Sequence, residues 1–145
     1  MKVNAFVPLK LNNERLPGKN TRLLGGTVPL FHLILETLKA VGEISEIHVF
    51  CSKTSIGDLP EGVTYLKRDD ALDTSSTSII EVMKSYREAC PADIYVLAHA
   101  TAPFLGAQSV SKAIRSVLYE GYDSAFSVVA QQDFLWDSSS PMNFN

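Results

Sequence analysis

Three cations fall within one short stretch, Pro8-Leu9-Lys10-Leu11-Asn12-Asn13-Glu14-Arg15-Leu16-Pro17-Gly18-Lys19-Asn20, and together they suit a polyphosphate. Lys10, Arg15 and Lys19 can offset charge on phosphate oxygens. Gly18 lets the backbone approach a ligand closely, and Asn20 adds an amide that both donates and accepts. The spacing follows neither the Walker pattern G-x-x-x-x-G-K-[ST] nor the dinucleotide fingerprint G-x-G-x-x-G, so chemistry and position must carry the assignment. The competing reading is a solvated loop whose cations only keep the protein soluble.

Position favours the ligand. Val3 to Leu9 is apolar almost throughout, as a parallel strand buried on both faces would be, and ligands of open α/β sheets sit beyond the carboxyl ends of such strands. The rest of the chain alternates β-branched runs with helical patterns, which predicts βαβ units and a parallel sheet. A first helix is expected over Pro29 to Val41, with Phe31, Ile34, Leu35 and Leu38 at helical spacing and Pro29 tolerated at its start. Ile44 to Cys51 is the next strand, followed by a turn-rich stretch from Lys53 to Gly62 and a short strand from Val63 to Leu66. Ser76 or Thr77 is expected to cap a helix running to about Cys90, with Ile79, Ile80, Met83 and Tyr86 or Arg87 on its apolar stripe. Asp93 to Ala98 reads as a strand, and Ala107 to Tyr119 as a helix ended by Gly121. Ser124 to Val129 is expected to form one more strand, and residues 131–145 an irregular tail.

At 145 residues, 46% of them hydrophobic, the chain suffices for one core, so residues 1–145 read as a single domain. A formal charge of −3 gives no global reason to expect nucleic acid or an anionic membrane, and small-molecule chemistry is favoured. Cys51 and Cys90 show no metal-ligand spacing and read as reduced, buried small hydrophobes, so no protein metal ligand is assigned. No apolar run approaches the roughly 20 residues of a membrane helix, and no signal h-region forms before Pro8 and Lys10. A cytoplasmic protein is expected.

Leu16-Pro17-Gly18-Lys19-Asn20, followed by Leu23-Leu24-Gly25-Gly26 and Pro29-Leu30, resembles the opening of sugar-activating nucleotidyltransferases, most closely the acylneuraminate (CMP-sialic acid type) cytidylyltransferases. Arg68-Asp69-Asp70-Ala71-Leu72-Asp73-Thr74-Ser75-Ser76-Thr77-Ser78 resembles their segment R-P-x-x-L-A-x-D-x-x-S or T. Leu97-Ala98-His99-Ala100-Thr101-Ala102-Pro103-Phe104 resembles their L-L-Q-P-T-S-P-L. The three motifs occur in order and span essentially the whole chain.

The resemblance implies a Rossmann-like, three-layer (GT-A-like) nucleotidyltransferase fold with a mostly parallel sheet, here the N-terminal portion without the family's C-terminal part. It implies transfer of CMP from CTP to a sialic-acid-like, nine-carbon acidic sugar with release of pyrophosphate, aided by Mg²⁺ that arrives with the nucleotide. Lys19 then takes the catalytic role. Lys10, Arg15 and Asn20 bind the triphosphate, Ser75 and Ser76 the nucleoside, and His99 and Thr101 lie near the sugar. A homodimer is a candidate assembly.

The chain also departs from the family pattern. Lys10 replaces the usual Arg and gives up its bidentate fork, Glu14 stands where a cation is common, and His99 replaces a Gln. These departures, with the missing C-terminal part, leave open a non-catalytic nucleotide-binding or assembly module that has kept the fold. A Kdo-type or sugar-phosphate nucleotidyltransferase is the other alternative.

Overall fold

Strand β1 (Val3–Leu9) is the spine of the molecule, because both its neighbours are strands and both its faces are covered. The computed structural model describes residues 1–11, 16–130 and 133–143. A short hairpin, β2 (Leu23–Leu24) with β3 (Val28–Pro29), leads into helix α1 (Leu30–Lys39). Then come β4 (Glu46–Cys51), β5 (Val63–Lys67), helix α2 (Ile79–Ala89), β6 (Ile94–Leu97) and helix α3 (Ala107–Tyr119). The main sheet has the order β5-β4-β1-β6, and every pairing in it is parallel.

The period-2 alternation of β1 divides its side chains between two apolar layers. Val3, Ala5, Val7 and Leu9, with Ile47, Val49 and Cys51 of β4, pack beneath Phe31, Ile34, Leu35 and Leu38 of α1 and Val110 and Ile114 of α3. On the opposite face Phe6 and Phe50 meet Val82 and Tyr86 of α2. Tyr86 stacks on Phe6 with ring centroids 4.0 Å apart and meets Phe50 edge-on at 5.4 Å. The result is the expected α/β/α sandwich, whose parallel strands all end at one edge.

The apolar stripe of α1 is buried as its spacing predicts, and α3 has the expected limits, with Gly121 just beyond them at φ 79°. Three expectations are corrected. The N-cap of α2 is Ser78 rather than Ser76 or Thr77: its Oγ accepts from the Glu81 N–H while the Glu81 carboxylate accepts from the Ser78 N–H, a complete capping box. The buried face of α2 consists of Val82 and Tyr86, whereas Ile79, Ile80 and Met83 face outward, because the aromatic layer of Phe6 and Phe50 selects the helix face. Ser124 to Val129 forms no strand, and Phe126, Val128 and Val129 are exposed. A strand needs a neighbour to take its N–H and C=O groups, and among the described residues none pairs with this segment.

The hairpin was not anticipated, although Gly25-Gly26 is its signal. Both glycines have positive φ, 59° and 78°, and the Thr27 N–H donates to the Leu24 carbonyl at 3.2 Å. In the tail, Trp136 and Pro141 form an isolated bridge, and the Asp137 carboxylate accepts from the backbone N–H groups of Ser139 and Ser140. No described helix is long and apolar enough to cross a membrane.

Candidate functional site

Parallel pairing forces the ends of β5, β4, β1 and β6 into a row, so that Arg68, Ser52 and Lys53, Lys10 and Leu11, and Ala98 and His99 follow one another along the carboxyl edge. All three sequence motifs reach this edge. It is the place where side chains distant in sequence can act on one ligand.

The first loop is closed at its base. Asn20 is buried, and its Nδ2 donates to the Lys10 carbonyl at 3.1 Å, which ties the chain entering the loop to the chain leaving it. Lys19 is half-buried and opens a 3-10 turn (Lys19–Thr21) directly after Gly18, whose φ of 67° sets the turn. The Thr21 N–H and Oγ1 both donate to the Gly18 carbonyl, at 3.1 and 3.2 Å. Lys10 and Lys19 are thus held at one base at the end of the central strand. Arg15 lies outside the described residues.

The second motif is latched to the sheet. Arg68, 3% exposed, pairs with the Asp73 carboxylate, which also accepts from Ser52 Oγ at 2.6 Å. The Arg68 N–H donates to the Cys51 carbonyl at 2.9 Å, and the Tyr65 hydroxyl donates to the same carbonyl at 2.8 Å. Asp73 is therefore the fastening of this segment. Asp69 caps the turn that follows it, accepting from the Ala71 N–H at 2.9 Å. Beyond the latch, Thr74 Oγ1 lies 3.0 Å from Ser76 Oγ and 2.8 Å from Thr77 Oγ1. Ser75 and Ser76 are both exposed.

His99 and Thr101 follow β6 in a tight turn and are exposed. The turn is fixed through the His99 carbonyl, which accepts from the Ala102 N–H at 3.0 Å, leaving both side chains on its outer surface.

Leu11, Lys53, Asp70 and Asp73 line an open cleft of about 620 Å³ that joins the first loop to the second motif. Lys53 escaped the sequence reading. It follows β4 directly, and the rule that drew attention to Lys10 after β1 would have found it. A second cleft, about 470 Å³ between Ala40–Glu43 and α3, contains none of the motif residues and lies apart from this arrangement.

The edge supplies cations and hydrogen-bond donors for an anion but no gathered metal ligands: among the described residues, no set of three His, Cys or carboxylate groups converges here. The Asp73 carboxylate is already engaged by Arg68 and Ser52. Asp70 is the other carboxylate lining the cleft. Cys51, wholly buried beside the edge, has its thiol pushed up by burial and is a core side chain, not a nucleophile.

A family model described as cytidylyltransferase matches residues 5–145. The chain is 25% identical to N-acylneuraminate cytidylyltransferase A of Danio rerio, with 99% of the chain matched to 36% of that protein. It is 30% identical to the CMP-N,N'-diacetyllegionaminic acid synthase of Legionella pneumophila, with 79% of the chain matched to 52% of it. The chain thus spans about half or less of these curated relatives. Among solved structures, a CMP:2-keto-3-deoxy-manno-octonic acid synthetase complexed with CTP superposes with a TM-score of 0.67 at 15% identity, over 83% of this chain and 49% of that one. A cytidylyltransferase from Leptospira borgpetersenii gives 0.63 at 22% identity, over 82% and 50%. At these identities the superpositions speak for the fold alone.

Proposed function

We propose that this chain, which belongs to the cytidylyltransferase family, provides the nucleotide-binding edge for transfer of CMP from CTP to a sialic-acid-like nonulosonic acid. The observation that carries this reading is the bond from Asn20 Nδ2 to the Lys10 carbonyl, which ties both ends of the cation-bearing loop to the carboxyl end of β1, the side of an open parallel sheet on which ligands commonly bind. The relatives named for N-acylneuraminate and legionaminic acid chemistry support the choice of acceptor.

In the reaction, an acceptor hydroxyl oxygen forms a bond to the α-phosphorus of CTP, the bond from that phosphorus to the bridging oxygen of the β-phosphate breaks, and pyrophosphate leaves. The hydroxyl proton passes to solvent or to a base outside the residues assigned here. Negative charge grows on the departing pyrophosphate, so fixed cations and N–H groups aimed at it lower the barrier. Lys19 is given this role, with Lys10 and Arg15 in support and Lys53 across the cleft. Ser75 and Ser76 offer hydroxyls to the nucleoside, while His99 and Thr101 face the acceptor. Mg²⁺ arriving with the nucleotide would supply charge neutralisation on the phosphate oxygens, beside the cations of Lys10 and Lys19.

Titration calorimetry with CTP, ATP, GTP and UTP in Mg²⁺, repeated with Lys19→Ala, tests the proposal. Selective CTP binding that the substitution weakens by roughly 10- to 150-fold is the expected result, followed by pyrophosphate release with a nonulosonic acid. Release with an eight-carbon acid instead would reassign the acceptor to the Kdo type. Failure of a folded sample to bind any nucleotide would overturn the reading.

A further inference from the structure

The amino end of the sheet, opposite the candidate nucleotide edge, carries a second group of chemically active side chains. The β1–β4 register sets Asn4 beside Glu46 and Phe6 beside His48, on the face covered by α2. Helix α2 brings Tyr86 and, four residues later at its C-cap, Cys90 to the same strip. Glu46 Oε2 lies 3.9 Å from His48 Nε2 and 3.7 Å from Cys90 Sγ, and Cys90 Sγ lies 4.0 Å from His48 Nε2. Three different ligand types therefore face one point.

A second observation concerns Asn4, which is wholly buried. Its Nδ2 lies 3.1 Å from Glu46 Oε2 and 3.2 Å from Cys90 Sγ, while its Oδ1 is buried without a hydrogen-bond partner. A half-turn of the amide exchanges these atoms and directs the orphaned oxygen to the point the other three face.

We propose that Glu46 Oε2, His48 Nε2 and Cys90 Sγ, with Asn4 Oδ1 as fourth donor after that half-turn, bind a divalent transition-metal cation of the zinc class. Mixed sulfur, nitrogen and oxygen donors suit a borderline-soft ion, whereas Mg²⁺ and Ca²⁺ prefer oxygen alone. A tetrahedral ion with bonds of about 2.0–2.3 Å has donor-to-donor edges of roughly 3.3–3.8 Å, so the three side chains need close in by only a few tenths of an ångström. His48 Nδ1 is 2.8 Å from the buried Tyr86 hydroxyl, which fixes the ring with Nε2 toward the site, as outer partners of metal-binding histidines do. On binding, the Cys90 thiol releases its proton to solvent. Lys2 Nζ, 2.9 Å from Glu46 Oε2, competes for that oxygen and can swing into water, since its side chain is 43% exposed.

The test is titration of the reduced, chelator-treated chain with Co²⁺ and then Zn²⁺. One equivalent of Co²⁺ should produce a near-ultraviolet thiolate-to-cobalt absorption and the intense visible bands of tetrahedral cobalt, both removed by Zn²⁺ and absent in Cys90→Ser. Lys2→Ala, outside the ligand set, should tighten Zn²⁺ binding about threefold by removing the competitor. Absence of the thiolate band, its survival in a folded Cys90→Ser, or an unchanged Zn²⁺ affinity in Lys2→Ala would overturn the proposal. None of these readouts involves nucleotide, so the outcome is independent of the reaction proposed above.

Discussion

Arg68 and Asp73 form an ion pair across the carboxyl edge of the sheet, with the guanidinium buried and the carboxylate also bound by Ser52. Five residues apart in sequence, they pin the second motif against the ends of β4 and β5. Without the pair, the segment from Asp70 to Ser78 would be an unattached turn, and Asp70 and Asp73 would no longer shape the cleft shared with Lys53.

Asp73→Ala should therefore destabilise the chain by roughly 3 kcal/mol, because it strands a buried cation. Urea denaturation measures the loss. Arg68→Met combined with Asp73→Leu should cost less than the two single losses added together, since the pair is removed as a unit.

The Ser78 capping box predicts a smaller and pH-dependent effect. Ser78→Ala should cost about 1 kcal/mol, typical of a lost N-cap. The Glu81 carboxyl is held below the usual glutamate range by the Ser78 N–H it accepts from, so its contribution is present above that range and lost as pH falls through the lowered value. Thermal melts of wild type and Glu81→Gln should separate at neutral pH and converge in acid.

Tyr86→Phe keeps the stack on Phe6 but removes the hydroxyl that meets His48 Nδ1. Both groups are buried, so the substitution should cost about 1–2 kcal/mol in chemical denaturation. Tyr86→Ala opens the aromatic layer as well and should cost about 3–5 kcal/mol.

Lys19→Ala and Asn20→Ala should separate charge from architecture at the first loop. Loss of one charge-assisted contact to phosphate corresponds to about 1.5–3 kcal/mol, or roughly a 10- to 150-fold weaker Kd for CTP, with stability unchanged. Asn20→Ala removes the donor to the Lys10 carbonyl and should lower both stability and CTP affinity, the former by about 1 kcal/mol. Calorimetry and denaturation on the same samples distinguish the two patterns.

Much of the fold was legible because its signals are local. The stripe Phe31, Ile34, Leu35 and Leu38 permits only one buried face, and the nearly unbroken apolar run of β1 requires a layer on each side. Where the reading failed, a neighbour decided. Ile79, Ile80 and Met83 are as apolar as Val82 and Tyr86, but only the latter pair meets Phe6 and Phe50. Phe126, Val128 and Val129 have strand composition without a strand beside them.

The chemistry divides in the same way. Sequence alone determined the parallel α/β class, the cation-bearing loop after β1 and the family resemblance, since each is written in contiguous residues and fixed spacings. Only the tertiary structure made Asp73 a latch, brought Lys53 to the cleft, and placed Glu46, His48 and Cys90 around one point. Those relations depend on strand register and on which face of α2 is buried, and parallel pairing joins residues more than 40 positions apart whose spacing carries no local signal.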